Sequence, residues 1–205
     1  MPSVKSVIPL ERAPTLFKSA KAFEVWLKKN HAASGGLWLR IAKRGANEPS
    51  VTYPEAVEVA LCWGWIDGQK KSLDDQHYLQ RFTSRRARSV WSKINVEKVQ
   101  ALIEAGRMQP AGQAQIDAAK ADGRWERAYD GARTSTVPED LQAALEAEPA
   151  AKAFFATINA SNRYAILWRI QTAAKAETRA RRIEQLVAML ARGETIHIFK
   201  PRPKA

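Results

Sequence analysis

The chain reads as an α+β protein: a small antiparallel sheet with helices on one face, followed by a C-terminal all-helical module. Three observations in the 205 residues predict this. Apolar residues recur at helical spacing over 16–30, alternate with a period of two over 65–83, and return to helical spacing beyond Trp91. A helix-start signal at Thr52 stands just ahead of the alternating stretch. Glycine, Asn and Asp clusters then separate short segments rather than long ones.

Residues up to about 14 form a flexible lead. Leu16, Phe17, Ala20, Phe23, Trp26 and Leu27 make one apolar face, with Lys18, Lys21 and Lys28 outside it, so the spacing predicts a helix from Leu16 to Asn30. Ser34-Gly35-Gly36 breaks it, and Leu37–Ala42 follows as a strand. Thr52 and Glu55 stand at capping-box spacing around Pro54, which needs no N–H in a first turn. The helix they open presents Ala56, Val57, Ala60 and Leu61 and stops near Gly64. Trp65–Ser72 and Tyr78–Thr83 read as a hairpin across Asp74-Asp75-Gln76, with Tyr78, Gln80 and Phe82 on one face. Asn95 is the expected cap of a helix through Val96, Val99, Leu102 and Ile103 that Gly106 closes, and Pro110 opens the next, which ends at Gly123. Residues 124–135 read as a linker whose Trp125 and Tyr129 dock on a core. Thr136 and Glu139 repeat the capping-box spacing, Leu141, Leu145, Phe154, Phe155 and Ile158 form a stripe, and residues 161–192 hold two further helices. The domain reading is therefore a lead over 1–14, an α+β domain with trailing helices over 15–125, a helical module over 136–195 and a loose basic tail over 196–205.

Composition narrows the function. Hydrophobic residues make up 45% and charged residues 26%, as in a folded globular chain. No apolar run approaches the roughly 18–20 residues that span a bilayer. The first residues lack the apolar core of a secretion signal, so a cytoplasmic protein is expected. One cysteine, Cys62, excludes an internal disulfide and a cysteine-based zinc site, and no cofactor or metal is expected. The net charge of +12 is localised. Residues 81–107 hold seven Lys/Arg against two Glu, and residues 161–205 hold ten against three, so these two stretches carry the whole excess. A one-sided basic field attracts anionic partners, whereas two unrelated solvated faces do not.

No nucleotide-binding loop, nucleophile elbow or zinc-protease motif is present, and His31, His77 and His197 have no ligand spacing. His77 is expected in a solvated hairpin turn, and Cys62 as a small core hydrophobe. The sharper signal is the basic and aromatic run of Arg81, Arg85, Arg86, Arg88, Trp91 and Lys93. Guanidiniums bind phosphate or carboxylate bidentately and stack on planar groups. Asp67 is placed to orient Arg81 across the hairpin. Gly64 and Gly68 permit a tight backbone path rather than cradling phosphate, because no helix start follows them. Lys175, Arg179 and Arg182 lie three to four residues apart on one helix as a second basic face, with a solvated surface as its plainer reading.

Several stretches resemble the YdeI/OmpD-associated family, described as bacteriocin-protection proteins. They are LWLRIAKRG (37–45), TYPEAVEVALCWGWIDGQKKSLDD (52–75), QRFTSRRARSVWSKIN (80–95), AGRMQPAGQAQIDAAKADGRW (105–125) and NRYAILWRIQTAAKAETRARRIEQLVAMLARGE (162–194). The resemblance implies a YdhG-like α+β domain followed by a helical OmpD-associated module, and a role in bacteriocin protection or envelope stress. It supplies no catalytic residues. Taken together, the expectation is a non-enzymatic binder of an anionic partner through segment 80–95. A nucleic acid and an acidic protein surface are both open as that partner, and integral membrane association is not expected. Two rival readings stand beside it: a nucleic-acid-binding protein, and a small-molecule enzyme with a pocket around Trp63, Trp65, Asp67 and Arg81.

Overall fold

In the computed structural model, residues 13–198 are described. These residues divide into two compact units, 13–89 with Glu97–Ala121 and Val90–Val96 with 122–198. The fold is α+β, with eight helices and one three-stranded antiparallel sheet among the described residues. The predicted lead falls almost wholly outside the described residues, and so do residues 199–205 of the predicted tail.

In the first unit, α1 (Ala20–Asn30) begins later than apolar spacing suggests. Ser19 is its cap, accepting a hydrogen bond from the Ala22 N–H at 3.2 Å, and Leu16 and Phe17 precede the helix. Helical turns need capped N–H groups as well as an apolar stripe, and Ser19 supplies the cap. Strand β1 (Leu37–Ala42) leads to α2 (Tyr53–Cys62), whose Thr52–Glu55 capping box is fully formed. The helix ends where Gly64 takes a φ of 72°, a left-handed conformation that glycine adopts at little cost. Strands β2 (Trp65–Ser72) and β3 (His77–Ser84) then pair, and β3 lies in the middle of the order β1-β3-β2.

Alternation along β3 decides what each face carries. Phe82 meets Phe23 of α1 edge-on at 5.7 Å, so the face with Tyr78, Gln80 and Phe82 receives the helices. Trp65, paired with Ser84, joins that core and packs edge-on against Trp26 at 5.8 Å. Helix α3 (Lys93–Glu104) starts two residues before Asn95, because the Ser92 hydroxyl accepts the Asn95 N–H at 3.2 Å and takes the capping role expected of Asn95. Helix α4 (Pro110–Ala121) begins at proline as predicted and approaches α2 through Gly112.

His77 is a second departure. It is 6% exposed at the start of β3 rather than solvated in the turn. The turn closes before it: Asp74 Oδ1 accepts the N–H groups of Gln76 and His77 at 2.8 and 2.6 Å.

The second unit opens with a short parallel bridge. Tyr129 N–H donates to Trp91 O and Lys93 N–H to Tyr129 O, both at 2.9 Å, and Trp125 packs edge-on to Trp91 at 5.1 Å. Four helices follow: α5 (Glu139–Ala147), α6 (Pro149–Thr157), α7 (Ala160–Gln171) and α8 (Ala176–Ala191). Leu141, Leu145, Phe155, Ile158, Ile166, Ile170, Ile183, Leu186 and Leu190 form their common core. The capping box expected at Thr136–Glu139 does not form. Pro138 occupies the cap position of α5 and offers no side-chain acceptor.

Candidate functional site: a basic, aromatic sheet face

Segment 80–95 does not act as one surface. Arg85 is 5% exposed and Trp91 2%, so neither is presented to a ligand as the sequence suggests. The chain turns inward at Arg85, whose N–H donates to Gly64 O at 3.0 Å. Lys93 is exposed but pairs with Asp130 at 2.8 Å, which occupies its charge. Arg86 and Arg88 remain exposed in a turn closed by Ser89, whose Oγ accepts the Arg86 N–H at 2.9 Å.

Asp67 does not orient Arg81. The register sets Asp67 opposite Phe82, one residue from Arg81, so the two side chains leave opposite faces of the sheet. Asp67 instead accepts a hydrogen bond from the Tyr53 hydroxyl of α2 at 2.7 Å. The same parity separates the residues of the enzyme-like pocket. Trp65 is fully buried with its Nε1–H on His31 O at 3.1 Å, Trp63 packs against the His31 ring at 4.8 Å, and Arg81 faces away from both Asp67 and Trp65.

Arg81 belongs to a different constellation. It pairs in register with Trp38 of β1, and its guanidinium lies 5.8 Å from the indole centroid. Lys71 of β2, on the same face, places its ammonium 4.7 Å from that ring. Two cations on one indole form a fixed positive surface on the face opposite α1 and α2. Attraction to the ring quadrupole offsets part of the repulsion between them. Lys71 is exposed and Arg81 half-buried. Arg86 and Arg88 follow β3 at the end of the sheet nearest Arg81. Such a face offers charge and hydrogen-bond donors to an anion, while the indole, 8% exposed, is the base on which the two cations rest. Trp38 and Lys71 escaped the sequence reading because their roles depend on strand order. The alternation within LWLRIA and KKS was the available signal.

The second basic face is not free either. Arg179 grips Asp140 with two hydrogen bonds, at 2.6 and 2.8 Å, and donates a third to Ile170 O at 3.1 Å. Arg182 donates to Arg169 O. Both guanidiniums therefore satisfy carbonyls at the C-terminal end of α7 and fasten α8 to it, which leaves Lys175 as the exposed member of the trio. The Arg179 hydrogen bonds hold the Asp140 carboxyl below the usual carboxylate range, against an opposing effect of burial. A lowered folded-state pKa gives stability that is present above the unfolded value of about 3.9 and is lost as pH falls through the folded value. Asp140→Asn is therefore expected to lower the melting temperature at pH 6 and to match the parent near pH 2. Because the pair is partly exposed, the difference at pH 6 is about 0.5–1 kcal/mol.

Cys62 is a core group, as its place on α2 suggested. It is 4% exposed, and burial pushes its thiol up to about 11. The native protein is expected to react with a thiol reagent at pH 8 far more slowly than the denatured chain, and equal rates would contradict this burial.

The fold and its surfaces define a small α+β protein with a helical companion unit, one sheet face of which is basic and aromatic. Residues 134–193 match the family described as Bacteriocin-protection, YdeI or OmpD-Associated. Residues 15–115 match a domain of unknown function (DUF8412), so the YdhG-like character of that part rests on the sequence resemblance alone. No curated protein and no solved structure gives a match. Among the described residues no helix is long and apolar enough to cross a membrane.

Proposed function

We propose that this protein is a non-enzymatic binder of an anionic partner. The binding surface is formed by Lys71 and Arg81, which rest on the buried Trp38 ring, and is extended by Arg86 and Arg88. The observation that carries the reading is the placement of Lys71 and Arg81 over one indole. Cations held on an aromatic ring lose less side-chain freedom on meeting an anion than free lysines do. The protein acts in the cytoplasm, in bacteriocin protection, the role that the description of the matched family names. A chain of net charge +12 repels cationic peptides, so protection acts through an anionic intermediary rather than by direct capture.

Salt-dependent titration against short DNA, RNA, anionic vesicles and an acidic peptide tests this. Wild type is expected to bind one of these classes, and Lys71→Ala/Arg81→Ala to bind it about tenfold or more weakly. For a nucleic-acid partner, each lost phosphate contact lowers the slope of log affinity against log salt by about 1. Unchanged affinity and slope in the double variant would remove the sheet face from the reading.

A further inference from the structure

Helix α7 has two working faces. Asn162, Ile166, Leu167 and Ile170 point into the four-helix core. On another face, Ser161, Tyr164, Trp168 and Arg169 line a recess of about 360 Å³ that Tyr129 and His197 complete. All six residues belong to the second unit, and none is part of the sheet face.

The walls are held in place. Tyr129 is fixed through its backbone by bonds to Trp91 and Lys93, and its ring stands edge-on to Trp168 at 6.1 Å and 82°. The Tyr164 hydroxyl donates to Asp130 O at 3.2 Å. His197 is clamped by the wholly buried Asn162, whose Oδ1 accepts the His197 N–H at 2.8 Å while its Nδ2 donates to His197 O at 3.3 Å. The same Nδ2 also donates to Asn159 Oδ1 at 3.2 Å, so Asn162 ties His197 to the capped start of α7.

The chemistry of the lining is one-sided. It joins three aromatic rings to a guanidinium, an imidazole and a hydroxyl, and no carboxylate lines it. The nearby Asp130 carboxylate is engaged by Lys93. Arg169 spends one hydrogen bond on Ala165 O at 3.0 Å, and a guanidinium has five donors. A recess near the small end of ligand-site volumes suits one ring with a substituent.

We infer that this recess binds a small planar anion, an aromatic ring bearing a carboxylate or phosphate. The ring packs among Tyr129, Tyr164 and Trp168, and the anionic group meets Arg169 and His197. Aromatic packing supplies area, and the guanidinium selects for charge.

Calorimetric titration of the full chain with indole carboxylate and with adenosine monophosphate tests this and separates the two sources of that chemistry. Neutral indole and cyclohexanecarboxylate are the controls for charge and planarity. Saturable binding of at least one planar anion is expected, weakened about tenfold or more in Arg169→Gln. Trp168→Ala is expected to lose it as well, and Arg169→Gln, a helix-compatible change at a half-buried position, keeps the test valid if the Trp168 variant unfolds. Lys71→Ala/Arg81→Ala is expected to bind both probes as wild type does, so failure of the sheet-face reading leaves this one standing. The inference is overturned if neither probe binds by about 10 mM. It is overturned equally if neutral indole binds as well as the anions, or if Arg169→Gln binds them unchanged.

Discussion

Trp65→Ala is expected to cost about 3–5 kcal/mol, the usual range for removing a fully buried tryptophan. Trp65 is 0% exposed, packs edge-on to Trp26, and its Nε1–H is satisfied by His31 O, so truncation opens a cavity and strands a carbonyl. Its neighbour in the Trp-Gly-Trp step makes the control. Trp63 is half-buried against the His31 ring, and Trp63→Ala is expected to cost about 1 kcal/mol, the centre of the range for point substitutions. Urea unfolding followed by circular dichroism checks both. A larger loss from Trp63→Ala than from Trp65→Ala would place the core on the wrong indole.

Gly112→Ala tests how α4 meets α2, and there two effects compete. In a helix interior alanine is favoured over glycine by about 1 kcal/mol. Yet a Cβ on Gly112 would stand 2.3 Å from Cys62 O and 2.5 Å from Met108 Sδ. The thioether can move aside, whereas the carbonyl belongs to the last turn of α2 and cannot move alone. Overpacking of this kind costs about 1–3 kcal/mol beyond the propensity gain, so the net effect is destabilising. Gly35→Ala, with nothing near the added carbon, is expected to stay within about 0.5 kcal/mol of the parent. A stabilised Gly112→Ala protein would mean that the helices are farther apart than described.

The elements were largely legible because their signals are local. The Thr52–Glu55 box, the proline starts at 54 and 110, and the Gly64 stop each depend on residues within one turn. The parity of Tyr78, Gln80 and Phe82 follows from strand geometry alone. The errors share a cause. Asn95 lost the cap to Ser92, and α1 begins at Ala20 behind its cap Ser19, because apolar spacing does not say which side-chain oxygen will accept the first free N–H groups.

The candidate surface was less legible. The run from Arg81 to Lys93 reads as one patch when written in a line. Folding distributes it: Arg81 to Trp38 and Lys71, Arg85 and Trp91 to the interior, Lys93 to Asp130, and Arg86 and Arg88 to an exposed turn. Arg179 and Arg182 were likewise drawn from a supposed open face to the end of α7.

The sequence by itself determined the α+β class, the starts of α2 and α4, the glycine stops, the hairpin and its face parity, and the two basic stretches. Only the tertiary structure decided which of those cations can meet a partner. The reason is physical: backbone conformation is set by neighbours along the chain, whereas a charge is freed, paired or buried by groups brought near it in space. Asp140, 39 residues from Arg179, and Trp38, 33 residues from Lys71, are such groups.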